Sequence, residues 1–243
     1  MITFDFAENI EAIRVIEGLD LTELLKVQKY ETPRSPQLAG KAKGNFPSFI
    51  RKTDQERIQN VYGDLARAYK DTPFDRTLKL DGSSMTVYLK DDVFGVCSRN
   101  LDLQETEDNT FWQVARKYEM EESLRSLGRN IALQGELMGP GVQGNREGFK
   151  EHKFFLFDVW DIDKQVYESP FEMIDTYYDL GAKFDMVPTL GEAYPFQVTL
   201  DELIGFADIK SINHPIGEGV VYRATDGSTS FKVINNKFLL AEK

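Results

Sequence analysis

Three segments alternating apolar and polar residues follow one another directly: FDRTLKL (74–80), SMTVYLK (84–90) and VFGVCSR (93–99). Only Asp81-Gly82-Ser83 and Asp91-Asp92 separate them. Strands joined by turns this tight pair antiparallel. Strand-like runs return at NIALQGELM (130–138) and KFFLFDVWD (153–161), and the chain closes on EGVVYRA (218–224) and TSFKVINNKFLLAEK (229–243). Helical patterns lie between them. TDQERIQNVYGDLARAYKD (53–71) opens with Thr53 and Glu56 in capping-box spacing. DNTFWQVARKYEMEESLRSLG (108–128) reads as one long helix closed by Gly128. SPFEMIDTYYDLG and TLDELIGFADIK add two more. The class is α+β: mixed, with mostly antiparallel sheets and flanking helices.

At 243 residues, 41% of them hydrophobic, the chain can bury one large core. PRSPQLAGKAKGN (33–45) is the one candidate boundary. Residues 1–44, with the short helical pattern DLTELLKV, read as a lead segment and 45–243 as the domain. No stretch nears eighteen apolar residues, and the start MITFDFAENIEAI lacks the layout of a signal peptide. Cys97 alone excludes a disulfide framework and fits a reducing compartment, cytoplasmic or nuclear, without secretion. His152 and His214 with that cysteine are too few for a conventional zinc site. A net charge of −11 opposes unspecific coating of nucleic acid. Cations nevertheless gather in RKTDQER (51–57), GRN (128–130) and NREGFKEHK (145–153), where a local basic groove is possible.

GPGVQG (139–144) has the spacing of a dinucleotide fingerprint, but Pro140 lies inside it and another glycine follows in NREGF, so it reads as a glycine-rich loop. There is no P-loop, and no serine stands in G-x-S-x-G context. What stands out is a set of charges at strand ends: Lys79 with Asp81, Arg99, Glu136, Glu218 and Lys232. Charges set into apolar strands need partners. A pocket mixing cations and carboxylates suits a nucleotide phosphate with a divalent cation.

These residues carry a resemblance. Lys79-Leu80-Asp81-Gly82 resembles the K-x-D-G nucleophile motif of the covalent nucleotidyltransferases, the superfamily of DNA ligases, RNA ligases and mRNA capping enzymes. SRN (98–100), LQGELMGPGVQGN (133–145), FFLFDVWD (154–161), EGVVYR (218–223) and SFKVINNKF (230–238) resemble its further motifs, in order. Capping enzymes and many DNA ligases carry arginine two residues after the glycine, where this chain has Ser84. GNFPSFIRKTDQERIQN, GELMGPGVQGN and FKVINNKFLL look most like the deinococcal and amoebal nick-sealing RNA ligases, relatives of phage RNA ligase 2.

The resemblance implies a nucleotidyltransferase domain of the DNA ligase and capping enzyme type, ATP-grasp-like. It implies ATP and Mg²⁺ or Mn²⁺ as cofactors, and an RNA partner, a nicked duplex with an RNA 3′-OH strand, served by a monomer without membrane attachment. Lys79 would be the nucleophile, with Glu218 and Lys232 catalytic beside it. Leu78, Lys79, Asp81, Arg99, Glu136, Phe155, Glu218, Lys232, Lys237 and Arg57 would hold the nucleotide, with Phe155 stacked on adenine. Asp81, Glu136 and Glu218 would hold the metal through its waters. The last motif often carries a second cation two residues on; here Ile234 stands there, leaving Lys237 to supply it. Relatives usually place an oligonucleotide-binding barrel first, for which about forty residues are too few. Adenylylation is therefore expected to outpace strand joining. DNA ligation, capping, or a non-catalytic nucleotide-binding module are the alternatives.

Overall fold

The computed structural model describes residues 41–196 and 198–241, so the DLTELLKV pattern lies outside the described residues. In chain order the elements are β1 (Ala42–Asn45), β2 (Glu56–Arg57), α1 (Ile58–Ala68), β3 (Pro73–Lys79), β4 (Ser83–Lys90), β5 (Val93–Ser98) and β6 (Leu101–Leu103). Then come α2 (Thr110–Lys117), α3 (Met120–Leu127), β7 (Ile131–Met138), β8 (Lys153–Asp161), β9 (Val166–Tyr167), α4 (Pro170–Asp179) and β10 (Asp185–Met186). β11 (Thr189–Pro195), α5 (Leu200–Phe206), β12 (Gly219–Ala224), β13 (Ser230–Ile234) and α6 (Asn236–Ala241) complete the list. No described helix is long and apolar enough to cross a membrane.

Two sheets result. The larger runs β1-β6-β5-β4-β7-β8-β10, with β9 added beside β8, and the smaller runs β11-β3-β12-β13-β2. Pairing is antiparallel except for β10 with β8 and β13 with β2. Because β1 pairs with β6, the large sheet takes in residues 42–44.

Period-two alternation explains the layers. Met85, Val87 and Leu89 of β4 with Ile131, Leu133 and Leu137 of β7 pack one face of the large sheet against α2 and α3. Its other face holds Tyr88, Cys97, Ala132 and Trp160 under Ile50. In the small sheet Phe74, Val220, Tyr222, Phe231 and Val233 pack on α1 and α5. A smaller apolar cluster of Leu78, Leu80, Met138, Phe155 and Val187 forms around the turn that joins the two sheets.

Two helix expectations are corrected. The helix expected over 53–71 covers only Ile58–Ala68, with Arg57 as N-cap and no side-chain cap. Thr53 instead meets the Ser84 hydroxyl at 3.1 Å, and Glu56–Arg57 extend the small sheet by pairing with Phe231–Lys232. The helix expected over 108–128 is broken at Glu119, which adopts a left-handed φ of 50° and pairs with Lys183 at 2.6 Å. Gly128 does close the second half in the left-handed conformation. The two shorter helical patterns form as α4 and α5, each behind a complete capping box, from Ser169 and Thr199.

One charged pair ties the sheets together. Arg223 of β12 donates from Nε and Nη2 to both carboxylate oxygens of Asp158 in β8, at 2.5 and 3.2 Å, and from Nη1 to Thr77 Oγ1 of β3 at 2.9 Å. Both side chains are about one-tenth exposed. Burial pushes the Asp158 carboxyl upward and Arg223 opposes it. Removing one partner of a buried pair strands the other charge. Asp158→Ala is accordingly expected to cost about 3–5 kcal/mol of folding stability, read as a lower urea midpoint. A loss under ~1 kcal/mol would show that solvent reaches Arg223 and that the pair does not hold the sheets.

Candidate active site

β3 ends at Lys79, and Leu80–Gly82 carry the chain out of the small sheet and into β4 of the large one. The amine therefore stands where the two sheets meet. Lys79 is opposite Gly219 in register, which brings it beside Glu218. Its Nζ donates to Glu218 Oε1 at 2.5 Å, and the two side chains are 22% and 15% exposed, enough shelter to strengthen the pair.

The turn permits only glycine at position 82. A Cβ there would fall 2.4 Å from Met138 Sδ, 2.5 Å from the Leu137 carbonyl oxygen and 2.9 Å from Glu136 Cγ. The approach lets the Gly82 N–H donate to Glu136 Oε1 at 3.0 Å. Gly219 is equally confined, since its Cβ would lie 2.1 Å from the Val233 carbonyl oxygen. Glycine thus brings Lys79, Glu136 and Glu218 together by allowing backbone to touch backbone.

The cleft around Lys79 is lined by Glu136, Arg99, Lys232, Phe157 and Arg223, with Leu78 in its wall. Residues 53–55 cross beside it, and Asp54 accepts from Arg99 Nη2 at 2.6 Å. Lys232 is held below the usual lysine range by burial first, then by Lys79, Arg99 and Arg57. Glu136 is pushed up to about 8, mainly by burial; Lys79 opposes the rise, and Glu218 and Asp81 add to it. A rise on this scale in a cleft marks a functional candidate.

The other expected site residues divide. Arg57 is in register with Lys232, one strand over. Asp81 lies 3.9 Å from Arg146 Nη1, and that guanidinium stacks on Phe238 of α6 at 4.4 Å. Phe155 is not on the cleft wall: it is 4% exposed and packs with Phe149 at 5.8 Å. Phe157 stands there instead. Lys237 points elsewhere, its Nζ 2.6 Å from Asp208 on an exposed pair. Among the described residues no three His, Cys, Asp or Glu side chains converge as a direct metal cage. Hard carboxylates spread around a phosphate-sized cleft fit a hydrated Mg²⁺ or Mn²⁺ that keeps several waters.

Phe157, Arg223 with Asp158, and Arg146 were not singled out from sequence. β8 carries one extra residue opposite β7: Gln134 faces Asp158 while the next residue, Gly135, faces Leu156. This bulge lets both Phe157 and Asp158 serve the side facing the small sheet, where strict alternation would have sent Asp158 to the helix side.

A lysine at a sheet crossing, two flanking carboxylates and a second lysine across the cleft are the arrangement expected of a nucleotidyltransferase. The comparisons narrow the class. The RNA ligase family model matches residues 73–234, and the chain belongs to that family. Among solved structures it is similar to Naegleria gruberi RNA ligase. A lysine-to-alanine variant with ATP and Mn aligns at TM-score 0.80 and 43% identity, covering 92% of this chain and 66% of that one. A lysine-to-methionine variant with AMP and Mn gives 0.80 and 43%, with 92% and 67% covered. The form with PPi gives 0.79 and 44%, with the same coverage. The chain thus spans about two-thirds of the length of these relatives. No curated protein matches it.

The Glu136 carboxyl generates a stability prediction. Its folded value of about 8 exceeds the ordinary 4.5, so between these pH values the native state keeps a proton that the unfolded chain releases. Stability then falls as pH rises, by at most about 1.4 kcal/mol per unit. Urea melts without divalent cation from pH 5 to 8 should show a steeper decline for the wild type than for Glu136→Gln. Parallel declines would mean the carboxyl is solvated and ordinary.

Proposed function

We propose that this chain performs ATP-dependent RNA joining through an AMP carried on Lys79, sealing 3′-OH and 5′-phosphate ends, with a nick in a duplex as substrate. The observation that carries the reading is the Lys79 amine at the sheet crossing, within hydrogen-bond reach of Glu218 and beside Glu136. Family membership supports it, as do the ATP, AMP and PPi forms of the Naegleria ligase.

Lys79 first gives up a proton to solvent, since only the free amine is nucleophilic. Its Nζ attacks the α-phosphorus of ATP; the N–P bond forms as the bond to the bridging oxygen breaks, releasing pyrophosphate. A 5′-phosphate oxygen of RNA then attacks the same phosphorus, the N–P bond breaks, and lysine recovers a proton. Finally the 3′-hydroxyl attacks the RNA 5′-phosphorus and AMP departs. A divalent cation held by Asp81, Glu136 and Glu218 would neutralise charge on the phosphate oxygens. Lys232, kept partly desolvated, reaches the same oxygens, and Arg99 and Arg57 flank them. Phe157 offers a flat apolar wall for the base.

Incubation with ATP and Mg²⁺ should add one AMP, mapped to Lys79 and absent in Lys79→Ala, with GTP labelling far less. Label on another lysine, or equal labelling by GTP, would sink the assignment. Glu218→Ala and Lys232→Ala should each slow labelling by roughly 10²–10³-fold, the scale for losing one charge-stabilising group. Near-wild-type rates in either would mean the phosphates lie elsewhere.

A further inference from the structure

A second cavity lies beside the cleft, with Arg223 in the wall of both. The two share Arg223 and residues Thr53–Gln55 in their walls, so they adjoin across these residues. Arg51, Lys52, Thr53, Tyr167, Ser228 and Ser230 line the second cavity. The strap that carries the two cations has its backbone pinned. Phe49 O accepts from Trp160 Nε1 at 3.0 Å, Arg51 O from Gln134 Nε2 at 2.7 Å, and Lys52 O from Tyr167 at 3.5 Å. Their side chains remain exposed. The Arg51 guanidinium lies 5.8 Å from the Tyr167 ring, and among the described residues Lys52 Nζ donates to the neutral Asn100 at 3.0 Å.

Charge is what makes this arrangement unusual. In a chain of net charge −11, most described lysines and arginines have a carboxylate partner. Seven described lysines and arginines form no ion pair with any described carboxylate: Arg51, Lys52, Arg57, Arg76, Lys150, Lys210 and Lys232. Four of the seven, Arg51, Lys52, Arg57 and Lys232, border the cleft or the second cavity. The carboxylates facing the second cavity are largely answered already: Asp54 by Arg99, Asp158 by Arg223 and Glu168 by Arg129, leaving Glu56.

We infer that this second cavity is the track for the RNA strand, with Arg51 and Lys52 contacting two backbone phosphates and the Tyr167 ring available beside them. Cations with no described carboxylate partner, and hydroxyls, along a groove hold one strand of a nicked duplex by its backbone phosphates, and a single-stranded probe isolates that contact from base pairing. The shared wall at Arg223 places a strand seated there next to the Lys79 cleft. The inference rests on the RNA-joining reading but is tested apart from it.

The measurement is fluorescence anisotropy of a labelled, 5′-phosphorylated single-stranded oligoribonucleotide without ATP, at several salt concentrations. Arg51→Gln/Lys52→Gln should bind about tenfold more weakly. Its log–log salt slope should be shallower by about 1.4, the sum for two contacts on a single strand. Lys52→Gln alone should remove about half of that slope change, so the outcome survives if the double variant folds poorly. Labelling of Lys79 by ATP should stay within about twofold, since neither residue lines the Lys79 cleft. Affinity and slope equal to wild type in both variants, or no RNA binding by the wild type, would overturn the inference. A wild type that binds RNA with the expected dependence yet takes no AMP would overturn the proposed function and leave the RNA track standing.

Discussion

Gly82 is the constraint on which the site depends. Its absent side chain lets the turn after β3 press against the backbone of Leu137. That contact sets how the chain leaves one sheet for the other, and so where Lys79 stops. The same approach aims the Gly82 N–H at Glu136, fixing one carboxylate relative to the amine. Gly219 repeats the device on the next strand and fixes the other, Glu218. Three ionisable groups are thus brought together by two glycines. Rigid elements aim charged groups more accurately than loops do, and the charges here sit at the ends of paired strands.

Holding these charges close is costly unless each answers another. Lys79 and Glu218 compensate one another, while the Glu136 carboxyl is pushed up to about 8, by burial first and against the pull of Lys79. Lys232 is held below the usual lysine range by burial first and then by three neighbouring cations. The cleft is therefore electrostatically unsatisfied in a particular sense. It holds more cation than its own carboxylates neutralise, and it holds a carboxyl that a divalent ion would ionise. Both imbalances are relieved by a metal-bound polyphosphate.

Much of this was legible in the sequence, because local rules and tertiary structure agree there. The turn-linked hairpin of β4 and β5, the strands β7 and β8, and the capping boxes of Ser169 and Thr199 follow from periodicity and spacing. Lys79, Glu136, Glu218 and Lys232 are visible as charges that interrupt apolar strands. The failures are places where a distant partner overrides a local signal. Thr53 and Glu56 have the spacing of a capping box, but Ser84 and the edge of β13 claim them first. Lys237 is close in sequence to the last motif, yet helix α6 turns its amine to Asp208. The break at Glu119 carries no glycine or proline to announce it.

The bulge in β8 is the most consequential of these departures, since counting residues by twos cannot reveal an extra one. From Phe155, simple alternation sends Phe157 toward the cleft and Asp158 away from it. The added residue brings Asp158 back, so an aromatic wall and a charged anchor occupy adjacent positions on the same side. Arg223 joins them, gripping Asp158 while lying 5.5 Å from the Phe157 ring. It also bounds both cavities. A single guanidinium thereby couples the spacing of the two sheets, the wall of the cleft and the wall of the cavity lined by Arg51 and Lys52. An arginine suits that position because its planar fork can bond Asp158 twice and Thr77 once while its face lies near a ring; a lysine could offer the charge but not the geometry.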